Sequence, residues 1–357
     1  MNSFRQFVRS AAHQGLRWFV RLRMTMAVGF VLLFTVYEFK RSYKTELVSL
    51  PGSVWQDLVD WKDLKWHGRS YLDKEVKELE EQVKKEEPFA LYVYALRHSD
   101  RLPAPYQIKV DRAVAREYHE KAANAGLVRA KAVLALLIFK EAEKETDAIK
   151  ARALIAEADM WAQKASKNQD ALGMRVCGEI LLFTSTKTGS ENREDEEKGY
   201  RLLIKAADRG NRGAMRKLGD LTAEGRVGFT DERGNPILVQ NFTQALAYYE
   251  QAALMRDYDA SQSLAAAYED GKIAPIDLVK AYGWNLVAAQ LAPKGEAALK
   301  LKPDDFKKMQ DQLTRTKALA VRMSAGDLTA AQNLARNYLT RMPTEKEDAE
   351  RSLLKAR

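Results

Sequence analysis

Five short alanine-rich elements recur along this chain: EYHEKAA (117–123), MWAQKAS (160–166), RLLIKAA (201–207), YYEQAA (248–253) and GWNLVAA (283–289). Their last residues stand 43, 41, 46 and 36 positions apart. Seven residues beyond each of the first four ends lies a small residue, in order Ala130, Gly173, Ala214 and Ala260. Four positions further come Leu134, Cys177, Leu218 and Leu264, followed in turn by Ala135, Gly178, Gly219 and Ala265. Ala90, Tyr94 and Ala95 fit the same template ahead of the first element. Small residues at fixed helical positions let two antiparallel helices approach closely, while Leu and aromatic side chains one turn away fill the space between them. One such pair cannot bury its apolar face by itself, so pairs must stack. The register predicts an all-α fold over residues 88–295, with about five antiparallel helix pairs in a right-handed superhelical α-solenoid.

The residues in register resemble a known family. The runs A-x3-LG-x4-EG at 214–225 and A-x3-LA-x2-Y-x2-G at 260–271, and the KAA-x2-G endings at 121–126 and 205–210, resemble the Sel1-like repeat, a subclass of tetratricopeptide-like helical pairs. LKPDDFKKMQDQL (301–313), with Pro303 at its first turn, resembles the closing helix of that family. The resemblance covers residues 88–325 and implies an adaptor or scaffold that binds other proteins, of the bacterial membrane-anchored type, in envelope assembly, secretion or signalling. The chain departs from the pattern where Glu141 and Thr184 stand in place of loop glycines. The loop after Gly225 (RVGFTDERGNPILVQN) is also roughly ten residues longer than is usual between helices.

Ahead of the repeats, Met24–Tyr37 carries no charge. Fourteen helical residues cover roughly 21 Å of a roughly 30 Å hydrocarbon core. The flanks extend this reach: Trp18 and Phe19 on one side and Tyr37 and Phe39 on the other form an aromatic belt, and Arg21, Arg23 and Lys40 can snorkel. The expectation is a membrane-spanning helix over 24–40, anchored through Trp18, Phe30, Leu32, Leu33, Phe34 and Tyr37, with an in-plane amphipathic anchor as the alternative. The run leads into Glu38, Phe39, Lys40 and Arg41, not into a cleavage site, so the anchor is expected to stay attached. Five arginines precede the run and three basic residues follow it closely, which predicts a cytoplasmic stretch 1–23 and a repeat domain on the periplasmic side of the inner membrane. Residues 41–87 read as a juxtamembrane segment with Trp55, Trp61 and Trp66, then an amphipathic cap helix striped by Leu72, Val76, Leu79 and Val83. Closing helices over 296–341 and a charged tail over 342–357 complete the organisation.

The formal charge of +9 is concentrated at the N-terminus: residues 1–50 hold 8 Lys or Arg against 2 acids, leaving 50 against 47 for the rest. A phosphate-neutralising groove is absent from that balance, and no nucleic-acid partner is expected. Nor is an enzyme expected. The lone Cys177 excludes an internal disulfide, and His13, His67, His98 and His119 share no metal-ligand spacing. Asp304 and Asp305 suit the helix N-terminus after Pro303 without acid–base work, and Gly210 and Gly213 close a repeat turn instead of following a strand. No catalytic, cofactor or metal site is predicted.

In a stacked array of helix pairs, the first helix of each pair lines the concave surface. Counting two and six residues on from the small position selects Tyr92 and Leu96, Ala132 and Leu136, Arg175 and Glu179, Arg216 and Asp220, then Gln262 and Ala266. A protein or peptide partner is expected on a groove built from Tyr92, Leu96, Leu136, Arg175, Glu179, Arg216, Asp220 and Gln262, apolar at one end and charged at the other. The competing reading has the cap helix at 72–86 covering Tyr92, Leu96 and Leu136. The loop at Asp231–Pro236 is a second candidate surface, and weak homo-oligomerisation stays open. The rival function class is an accessory or enzyme acting on an envelope polymer through the repeat surface.

Overall fold

The computed structural model describes residues 65–66, 69–99, 102, 104–188, 193–225, 240–292 and 303–354, all within the compact unit Val54–Arg357. The expected anchor at 24–40, with Trp18, Phe30, Leu32, Leu33, Phe34 and Tyr37, lies outside them, as do Trp55, Trp61 and the loop 226–239. Among the described residues no helix is long and apolar enough to cross a membrane.

The described chain opens on a small antiparallel ladder between β1 (Lys65–Trp66) and β2 (Arg69–Ser70). The rest is helical. Helix α1 (Val76–Lys84) precedes five pairs: α2 (Pro88–Arg97) with α3 (Arg112–Asn124), α4 (Val128–Ala142) with α5 (Ala148–Lys167), α6 (Ala171–Thr188) with α7 (Arg193–Asp208), α8 (Arg212–Glu224) with α9 (Phe242–Leu254), and α10 (Tyr258–Asp270) with α11 (Leu278–Leu291). Consecutive helices pack on each other throughout. The all-helical stack of pairs is an α-solenoid.

Local chemistry sets the boundaries. Asp111, Asp147, Asn241 and Asp277 open α3, α5, α9 and α11 by accepting backbone N–H groups of the first turn, which satisfies donors that a helix start leaves bare. Left-handed Gly225 and Gly271 stop α8 and α10 after 13 residues each. Where Glu141 and Thr184 replace the loop glycine, the first helices run longer, to 15 residues in α4 and 18 in α6.

The turns leading into each first helix share one geometry. The residue two places beyond the preceding helix has positive φ: 56° at Glu86, 103° at Gly126, 62° at Gln169, 72° at Gly210 and 64° at Arg256. Glycine adopts this conformation freely, whereas Glu86, Gln169 and Arg256 hold it at a steric cost. The recurrence at Glu86 makes α1 the second helix of an incomplete pair. Its Leu79 and the preceding Leu72 are buried in one apolar cluster with side chains of α2, α4 and α6.

Small residues bring the helices together as their spacing required. Ala90, Ala130, Ala214 and Ala260 are fully buried on the first helices, and Ala122, Ala165, Ala206 and Ala252 on the second. After the pairs, α12 (Pro303–Val321) and α13 (Ala325–Arg341) pack on α11, where Trp284 stacks on Tyr338 at 4.1 Å between ring centroids. The segment read as a charged tail contains a helix, α14 (Glu345–Leu354). Its Ala349 and Leu353 are buried in the cluster that holds Leu72 and Leu79. Ion pairs Arg256–Glu345 (3.3 Å), Arg212–Asp348 (2.9 Å) and Lys346–Asp73 (2.9 Å) tie α14 to the loop between α9 and α10, to the start of α8 and to the segment before α1.

Candidate partner-binding site on the first-helix face

The eight groove residues expected from the register separate into two groups. Tyr92, Leu96 and Leu136 are only 2%, 3% and 7% exposed. They belong to the apolar cluster of the first pairs, with Tyr92 against Phe89 and His119, so they are core and present no groove. Gln262 is also withdrawn from any partner: its amide donates to Tyr258 Oη at 2.8 Å and to Gln312 Oε1 on α12 at 2.7 Å. A closing helix lies over it, which the repeat period could not reveal.

The other four converge. Arg175, Glu179, Arg216 and Asp220 line one cavity of about 290 Å³ between the C-terminal half of α4 and the successive first helices α6 and α8. Phe139, Lys140 and Glu143 complete it from α4 and its C-terminal turn, Leu182 and Phe183 from α6, and Lys217, Leu221 and Glu224 from α8. The +2 and +6 count missed these. They sit at +3, +7, +9, +10 and, for Glu143, +13 of the same register, so carrying the count one helical turn further would have found Phe139, Lys140, Leu182, Phe183 and Glu224.

Its electrostatics are set by two arginine–carboxylate couples at equivalent positions. In α6, Arg175 Nε donates to Glu179 Oε1 at 2.8 Å, both side chains being buried. The Arg175 guanidinium lies against Gly213 of α8 so closely that a Cβ there would clash. Burial presses the Glu179 carboxyl upward, but the charge and hydrogen bond of Arg175, with Lys140 and Lys217 nearby, hold it below its ordinary range. Its second oxygen, Oε2, is buried without a hydrogen-bond partner.

In α8 the couple is broken. Arg216 turns to the next pair, with Nε 3.4 Å from Asp257 Oδ1 and Nη2 3.5 Å from Asp259 Oδ2. Burial works against its charge, but Asp257 and Asp259 outweigh that and raise its pKa. Asp220 is left with the hydroxyl of Tyr249, which donates to Oδ1 at 2.9 Å. Burial pushes the Asp220 carboxyl up, and Tyr249 and the more distant Arg216 offset this only in part.

The described residues bring together no group of three or more His, Cys, Asp or Glu able to hold a metal ion. Cys177 is buried, and its thiol is pushed up to about 12, chiefly by burial, so it is a packing residue and not a nucleophile. The arrangement is a cavity lined mainly by charged side chains, with Phe139, Leu182, Phe183 and Leu221 as its apolar members.

The fold defines the class as a helical-repeat solenoid. Residues 88–127, 184–211, 214–257 and 259–292 match the family profile described as Sel1 repeat, so these four stretches of the solenoid are Sel1 repeats. No curated protein sequence matches the chain. Similar solved structures include a protective antigen of uropathogenic Escherichia coli with an SLR fold (15% identity, 84% of this chain and 63% of that one, TM-score 0.42). Others are Sel1 repeat proteins from Oxalobacter formigenes (20% identity, 65% and 89%, TM-score 0.40) and Klebsiella pneumoniae subsp. pneumoniae (18%, 67% and 98%, 0.38). The chain thus spans less than two thirds of the Escherichia coli antigen. Sel1 repeats in general are protein-interaction modules without catalytic activity.

Proposed function

We propose that this protein is a membrane-tethered scaffold that holds a protein partner on the concave face of its Sel1 repeats, in assembly, secretion or signalling at a bacterial envelope. The observation that carries the reading is the cavity between α4, α6 and α8, where buried Glu179 and half-buried Arg175, Arg216 and Asp220 from consecutive repeats face one space. A core position in a solenoid requires only small and apolar side chains, and withdrawing charges from water costs free energy unless neighbours stabilise them, so a charged cluster inside a cleft is a candidate recognition site. The tether rests on the apolar run Met24–Tyr37 and its aromatic and basic flanks, and the periplasmic placement on the five-to-three distribution of bases around it.

Three experiments test this. Chemical crosslinking of the full-length protein in intact membranes should capture a discrete protein partner; capture of none, across crosslinkers of several lengths, contradicts the scaffold reading. A C-terminal reporter active only outside the cytoplasm should be active; activity of a cytoplasm-only reporter there reverses the orientation. Recovery of the chain in the soluble fraction after cell lysis removes the tether.

A further inference from the structure

The cavity between α4, α6 and α8 is lined by four acidic and four basic side chains, yet its inner face is not neutral. Lys140 is engaged by Glu143 at 2.6 Å at the rim. Arg175 is committed to Glu179, and Arg216 points away to Asp257 and Asp259. Of the two carboxylates on the first helices, buried Glu179 has Arg175 in contact, while half-buried Asp220 feels Arg216 and Lys217 only at longer range. Among the described residues Glu179 keeps a wholly buried oxygen, Oε2, with no donor, and the side-chain hydrogen bond to Asp220 comes from the neutral hydroxyl of Tyr249. A buried carboxylate oxygen without a donor forgoes a charge-assisted hydrogen bond, the strongest kind available to it. Glu179 Oε2 and Asp220 can therefore each take a hydrogen bond from a cationic donor carried into the cavity from outside, in addition to the longer-range charge of Lys217. The half-buried ring of Phe183, edge-on at 5.5 Å to the core residue Phe139, supplies the aromatic part of the lining against which an alkyl stem or a guanidinium packs.

Resting on the scaffold reading, we infer that this cavity is the recognition pocket for one basic side chain, an arginine or lysine, of the partner protein, seated between Glu179 Oε2 and Asp220. The volume of about 290 Å³ is enough for such a side chain but not for a folded element, so the partner presents a single protruding residue. Glu179 and Asp220 occupy the same register position on neighbouring first helices, so the pocket exists only where two consecutive repeats both carry an acid there.

The test uses the full-length protein in detergent and three small probes: Nα-acetyl-arginine N-methylamide, its neutral citrulline isostere, and putrescine. Ligand-observed saturation-transfer NMR should show the arginine probe binding at least about ten-fold more tightly than the citrulline probe, as expected for loss of a charge-assisted hydrogen bond. E179Q and D220N, each verified as folded by circular dichroism, should each weaken the arginine probe by a similar factor. Equal binding of arginine and citrulline, no binding of arginine, or unchanged binding in both variants overturns the inference. Putrescine binding well above the arginine probe also overturns it, reassigning the pocket to a free polyamine. Crosslinked partners retained by the E179Q/D220N double variant would refute the basic-residue pocket while leaving the scaffold intact; a wild type that captures none fails at the scaffold itself.

Discussion

Helices α6 and α8 occupy equivalent places in successive repeats and carry the same pair of residue types, Arg175 with Glu179 and Arg216 with Asp220, yet the two couples end differently. Among the described residues Arg175 meets no acid of the next repeat; it lies against Gly213 and stays with Glu179. Arg216 finds Asp257 at the turn into α10 and Asp259 one position into that helix, and it leaves Asp220 for them. Identical local spacing thus gives an internal ion pair in one repeat and an inter-repeat clamp in the next. The residue that opens the following repeat decides which.

The largest expected effect comes from removing the arginine of each couple. Arg175→Met strands a buried Glu179 charge and should lower unfolding free energy by about 3 kcal/mol or more. Arg216→Met should cost about 1–2 kcal/mol, because Asp259 is exposed and Asp257 keeps the backbone amide of Ala260. Equal losses in chemical denaturation would erase the asymmetry.

Next come the glycines that let these repeats pack. A Cβ on Gly178 would lie 2.7 Å from the carbonyl oxygen of Gly199, and one on Gly219 would lie 2.6 Å from the Tyr249 ring. Backbone yields less readily than a ring, so Gly178→Ala should destabilise by about 2–3 kcal/mol and Gly219→Ala by about 1 kcal/mol. Gly219→Ala should also disturb the Tyr249 hydroxyl and weaken its bond to Asp220, visible as a shift of the tyrosine ring resonances.

The smallest effects are in pH dependence, and they have opposite sign in the two repeats. Glu179 titrates below its ordinary range when folded, so its contribution is present above that range and is lost as pH falls through its lowered value. Asp220 titrates above its ordinary range, so the folded state gains stability as pH falls from neutral toward that raised value. Near neutral pH, Asp220→Asn should therefore raise the thermal midpoint and Glu179→Gln should lower it. Midpoints moving in the same direction would contradict the assignment of the two couples.

The stacking of pairs was legible because it depends on local periodicity: small residues seven and twelve places after each of the first four alanine-rich ends have to meet a neighbouring helix. The four charged cavity residues were legible for the same reason, since register fixes which helical face they share. The cluster that joins Tyr92 and Leu96 to Leu72 and Leu79 agrees with the reading in which the cap helix covers them, since the apolar stripe of that helix is itself periodic. What the period cannot encode is contact with elements beyond the array: Gln262 is covered by Gln312 of a closing helix, and α14 folds back through Leu353 in a segment whose charge resembles a solvated tail. Cavity walls such as Phe139 and Phe183 went unnoticed because apolar residues on a helix are ordinarily read as core.

The most direct test of the central claim, that the face joining α6 to α8 receives the partner, is site-specific photocrosslinking in living cells. A benzophenone amino acid replaces either Lys217, on the cavity wall, or Gln251, exposed on the second helix α9. The account predicts a discrete protein adduct from position 217 that disappears in the E179Q/D220N background, with none from position 251. An adduct from 251 only, or one from 217 that survives loss of both carboxylates, would contradict it.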